Sequence, residues 1–140
     1  LEHREMHSFY LGFYKDLVIA TGGRSTLDSS KRAIQAYHIM KGSRHLHFET
    51  DKTVAAKGIL VGDELLLPCT TGLLRLALKP QEKDFIAEEK GFFNWRPTTT
   101  PAGRPGEPQI QEGCGNLLLL ENRLITGYGV CLYSCELSQK

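Results

Sequence analysis

The chain reads as a mainly β protein, and three observations point there. Its apolar runs are short and rich in aromatic and β-branched residues. They recur at regular spacing, and Gly, Pro, Asn and Asp separate them. The 140 residues contain 41% hydrophobic residues, enough for one packed core or two small halves sharing an interface. The expected architecture is a barrel or sandwich. Two parts are expected, an N-terminal half over residues 1–78 and a C-terminal half over 79–140, joined in one compact unit.

From His7 to Thr21 the sequence is strand-like, with Gly12 or Lys15-Asp16 able to break it into a hairpin. Ser25 to Ala36 carries hydroxyl caps and a short helical pattern, which predicts one helix of two or three turns. The next stretch predicts a strand, a turn at Gly42-Ser43 and a second strand. In that second strand His45 and His47 share one face while Leu46 and Phe48 share the other. Two short apolar runs then flank Gly62-Asp63-Glu64. Leu73 to Leu78 is a strand ended by Lys79-Pro80, and Asp84–Ala87 and Gly91–Trp95 are short strands. Arg96 to Pro108, with four prolines, is a loop. Cys114 follows, between Gly113 and Gly115, and after it an apolar run, a polar turn (Glu121-Asn122-Arg123) and a second apolar run predict a hairpin.

Composition removes several function classes. Lys and Arg number 17 against 16 Asp and Glu, a net charge of +1 that offers nucleic acid no electrostatic attraction. No apolar run approaches the roughly 20 residues of a membrane-spanning helix. The N-terminus (Glu2, His3, Arg4, Glu5) does not resemble a signal peptide, and a chain starting at Leu1 rather than Met is expected to be trimmed, or cut from something longer. The cysteines at 69, 114, 131 and 135 lack the clustered spacing of a zinc site, so no metal or cofactor is expected. Free thiols in an intracellular chain are the expectation, with Cys69, Cys131 and Cys135 as buried bystanders.

Cys114 differs from the other three. Flanking glycines leave room for a carbonyl to reach the sulfur and let backbone N–H groups turn inward, as a thiol nucleophile with an oxyanion hole requires. A base and an orienting carboxylate are needed too. His45 or His47 is available as the base, and Asp63 follows. The order His, Asp, Cys matches that of chymotrypsin-type proteases.

The segment G-C-G-N-L-L-L-L-E-N-R-L-I-T-G resembles the nucleophile region of the 2A cysteine proteases of enteroviruses and rhinoviruses. S-R-H-L-H-F-E-T looks like that family's histidine stretch, and G-I-L-V-G-D-E-L-L-L-P-C-T-T like its aspartate stretch. The likeness implies a chymotrypsin-like two-part β-barrel and a thiol endopeptidase in the host cytoplasm. It would cut the viral polyprotein and later host proteins. Cys114 would be the nucleophile and Asp63 the carboxylate. His47 would be the base in the rhinovirus-like register and His45 in the enterovirus-like one, with His47 preferred. Glu112 and Gly113 would build the oxyanion hole, although the family carries Gly where this chain has Glu112. The family's zinc ligands fall on Leu120 and Asn122, so no zinc is implied.

A second likeness is to the picornavirus 2A proteins with an H-box and an Asn-Cys motif, which resemble acyltransferases. Y-H-I-M-K-G-S-R-H-L-H-F looks like the H-box, with His47 its later histidine. Its leading histidine falls on Ala36, and Gly113 rather than Asn precedes Cys114. That fold sets its cysteine at a helix N-terminus, whereas the residues after Cys114 read as strands. Such a protein would act by binding host or replication proteins.

Overall fold

The computed structural model describes residues 9–25, 27–94, 116–128 and 131–137. Among them the chain is mainly β, without a helix, in three antiparallel sheets that do not close into a barrel. The first sheet is a meander of β1 (Phe9–Tyr14), β2 (Leu17–Arg24), β3 (Arg32–His38) and β4 (Arg44–Thr50). The second repeats the pattern with β5 (Ile59–Val61), β6 (Glu64–Pro68), β7 (Gly72–Gln81) and β8 (Asp84–Asn94). A small third sheet has β10 (Arg123–Tyr128) between β9 (Leu118–Leu120) and β11 (Cys131–Glu136).

The first two sheets share a core. Ile19, Ile34, Ala36 and Leu46 from one meet Leu65, Leu67, Leu74 and Leu76 from the other, all nearly or fully buried. β1 lies beside β5 and β4 beside β8, so both open sides of the pair are flanked. The third sheet lies against the opposite face of the second, where Leu124 and Leu117 pack on Leu66 and Leu73. This layering explains a run of three leucines in one strand. Leu65 and Leu67 point into one core and Leu66 into the other, so no polar residue is tolerated between them.

Four hairpins turn on two residues each, and the first of the pair has positive φ every time: Lys15 (55°), Gly62 (60°), Glu82 (49°) and Glu121 (54°). That conformation matches the twist of the flanking strands. Gly62 adopts it without steric cost, and the other three residues adopt it under the demand of the ladder.

The structure corrects several expectations. No helix occupies Ser25–Ala36 among the described residues. The Ser25 hydroxyl instead accepts from the amides of Leu27 (3.1 Å) and Asp28 (3.4 Å) in a turn, and β3 begins at Arg32. β7 does not stop at Lys79-Pro80. Beyond Ala77 it pairs with β8 and has no β6 partner, so Pro80 loses no ladder bond on that side. The two short strands predicted at 84–87 and 91–95 form the single strand β8, with a register shift near its middle. The division expected between residues 78 and 79 falls inside β7. Cys69 is buried, as expected, but Cys135 is exposed. The loop at 96–108 lies outside the described residues.

Candidate functional site

Four turns meet at one end of the paired sheets: β1–β2, β3–β4, β5–β6 and β7–β8. The Ile39 amide donates to the Asp16 carbonyl (2.9 Å), and the Leu78 amide to the Asp63 carbonyl (2.7 Å). Tyr14 packs edge-on against Phe85, and the Lys15 ammonium sits over both rings at about 5 Å from each centroid. Loops gathered on a rigid β frame are where side chains of distant sequence positions come together. Here they gather Asp16, His38, Ser43, His45, Asp63 and Asp84.

Of the predicted site residues, Asp63 and the two histidines of β4 lie among the described residues. Asp63, in the β5–β6 turn, accepts at 2.6 Å from the Tyr14 hydroxyl. Burial first, then the hydrogen bond to Asp63 and its charge, push the Tyr14 phenol up to about 12. His47 lies on β4, on the face of the first sheet turned away from the shared core, and its contacts are with that sheet. With the Gln35 carbonyl accepting from the Tyr37 hydroxyl, the Gln35 amide donates to His47 Nδ1 at 3.0 Å. The proton of neutral His47 is therefore on Nε2, which faces Glu49 Oε1 at 3.5 Å, an ion-pair distance without hydrogen-bond geometry. Glu49 is held below the usual carboxylate range chiefly by the Ser25 hydroxyl, with His47 and Lys31 adding to the effect. Asp63 and His47 thus serve different partners. Cys114, Glu112 and Gly113 lie outside the described residues. The side-chain oxygen of Asn116 accepts from the amide of Lys57 (3.3 Å), two residues before β5.

Hydrogen-bond direction assigns a tautomer to each described histidine. His38 Nδ1 accepts from the amides of Met40 (3.2 Å) and Lys41 (3.3 Å), so its proton is on Nε2, 3.1 Å from Asp16. His38 and His47 therefore carry the proton on the same nitrogen. His45 is the opposite case. Its Nδ1 lies 3.1 Å from the Lys83 carbonyl, which can only accept, and 2.9 Å from Asp84 Oδ1. Nδ1 carries the proton, so Nε2 presents its lone pair, 2.9 Å from the Ser43 hydroxyl. A general base oriented by a carboxylate has this arrangement. His45 and His47 were both visible in the sequence as candidate bases. Asp84 and Ser43 were not, because Asp84 is 39 positions from His45 and Ser43 reads as a turn residue.

No group of three or more His, Cys, Asp or Glu side chains able to hold a metal ion occurs among the described residues. No described helix is long and apolar enough to cross a membrane. The chain matches no family model, no curated protein and no solved structure.

Proposed function

We propose that the chain is a non-proteolytic β domain of the picornavirus 2A kind, acting by binding protein partners. One observation carries this reading. The two described members of the expected triad are committed elsewhere, Asp63 to Tyr14 and His47 to Gln35 and Glu49. A surface is also available for binding. On the outer face of the third sheet Leu118, Leu120 and Leu132 are 60%, 61% and 82% exposed. Ile125 lies directly opposite Leu118 in the ladder, and the Arg123–Glu136 ion pair borders the patch beside Leu120. Exposed apolar side chains grouped on one face favour protein association.

A chymotrypsin-like thiol endopeptidase is the second reading, favoured by β9 and β10. Strands joined at Glu121-Asn122, not a helix, follow the Cys114 segment. That supports the protease-like of the two resemblances over the acyltransferase-like one. In that reading Cys114 attacks a peptide carbonyl, a histidine takes its proton, and water hydrolyses the acyl-enzyme. The two readings separate in one experiment. The purified protein and its Cys114→Ala variant are incubated with unfolded casein and with a mixed-sequence peptide library. The binding reading predicts no Cys114-dependent product. Cleavage that the alanine variant loses establishes the endopeptidase instead.

A further inference from the structure

We infer that Ser43, His45 and Asp84 form an acyl-transfer centre at the four-turn end of the molecule, with Ser43 as its nucleophile. Its three residues include neither Cys114 nor any residue of the third sheet. Its connectivity is that of a nucleophile, a base and an orienting carboxylate. Ser43 Oγ lies 2.9 Å from His45 Nε2, and His45 Nδ1 lies 2.9 Å from Asp84 Oδ1 and 3.1 Å from the Lys83 carbonyl. The carbonyl matters most in this set, because it fixes the Nδ1–H tautomer whatever the charge on Asp84. Only in that tautomer can neutral imidazole accept the serine proton through Nε2.

The three residues come from two hairpins and are held there by backbone contacts. The Ser43 carbonyl accepts from the His38 amide (2.9 Å), and Gly42, with φ of 65°, lets the chain turn so that its own amide reaches the His38 carbonyl (2.8 Å). His45 is mostly enclosed, its side chain 23% exposed, whereas Ser43 is open to solvent. A base sheltered from water beside an accessible hydroxyl is the useful combination. The same turn also offers an apolar landing, with Ile39 49% and Met40 86% exposed. The class of substrate that fits is therefore an ester or thioester of an apolar acid, approached from solvent.

The step balances without any further reagent. The Ser43 O–H bond breaks as its proton passes to His45 Nε2, and Oγ bonds to the acyl carbon. The bond from that carbon to the leaving oxygen or sulfur breaks, and the leaving group departs with the proton from His45. Water then repeats the sequence on the acyl-serine, releasing the acid and restoring the hydroxyl. The charged groups facing His45 are Asp84 at 2.9 Å and His38, whose ring centroid is 6.0 Å away and whose Nε2 pairs with Asp16. Protonation of either imidazole opposes the transfer, directly at His45 and by like charge at His38.

The test uses the intact chain with a fluorophosphonate probe and with p-nitrophenyl butyrate. We expect one phosphonyl adduct per chain, mapped to Ser43 by mass spectrometry, and p-nitrophenol release that rises with pH as imidazole deprotonates. Ser43→Ala should abolish both, and Asp84→Asn should slow both by about 10–100-fold, the scale of an oriented general base. Both substitutions fall on exposed positions, and circular dichroism checks that each variant folds. Absence of the Ser43 adduct, a reaction that survives Ser43→Ala, or a rate indifferent to Asp84→Asn and to pH overturns the proposal.

Discussion

Leu66→Ala lowers the unfolding free energy by about 2–5 kcal/mol, the range for emptying a closed leucine site. Leu66 is fully buried on β6, on the side facing Leu73, Leu117 and Leu124, while Leu65 and Leu67 on either side face the other core. A cavity there is walled by two sheets. Neither can collapse into it without breaking its own ladder, so relaxation recovers little. Leu118, on the outer face of the third sheet and 60% exposed, is the control. Its replacement by alanine should change stability by no more than about 0.5 kcal/mol. Urea denaturation of the two variants measures the contrast, and equal losses would contradict the layered packing of the third sheet.

Tyr14→Phe should cost about 1–2 kcal/mol at neutral pH, the low end for a hydrogen bond to a charged group because Asp63 is exposed. Its clearer effect is on alkaline behaviour. The folded protein holds the Tyr14 phenol at about 12, above its ordinary 10.0, because burial and Asp63 both oppose ionisation. A folded-state value raised in this way gives a contribution that is complete below pH 10. As the pH climbs from 10 to 12 the unfolded chain ionises first, and the contribution is lost. The difference in stability between the parent protein and Tyr14→Phe should therefore shrink across that window. A constant difference would mean that the hydroxyl is not held by Asp63.

Much of the frame was legible in the sequence, for local reasons. The turns at Gly42-Ser43, Gly62-Asp63 and Glu121-Asn122 are where the residue chemistry put them. The alternation across β4 was also read correctly, with Leu46 buried in the shared core and Phe48 packed against it. β3 was misread because Ala33, Ile34, Gln35 and Ala36 are all buried, on both faces of the strand. A strand enclosed on both sides loses its period of two, and the hydroxyl-rich segment before it then mimics a helix cap.

The site was harder to read, because its pairings are set by which turns meet in space. Nothing near His45 announces Asp84, and nothing near Asp63 announces Tyr14. The two histidines of β4 differ in register, since His47 is paired along the ladder while His45 falls at a register shift and has no partner on β3. Gln35 faces His47 along the ladder, whereas a carbonyl at the neighbouring turn faces His45. That single difference gives them opposite tautomers and opposite chemical uses.

The binding reading requires that His47 and Asp63, engaged with Gln35, Glu49 and Tyr14, leave Cys114 without a base. The pH dependence of Cys114 alkylation by iodoacetamide tests it most directly, followed by mass spectrometry in the parent chain and in His47→Ala and Asp63→Asn variants. The expected result is an alkylation rate that neither substitution changes at any pH. A thiolate already formed near neutral pH, and lost on removing His47 or Asp63, would contradict it.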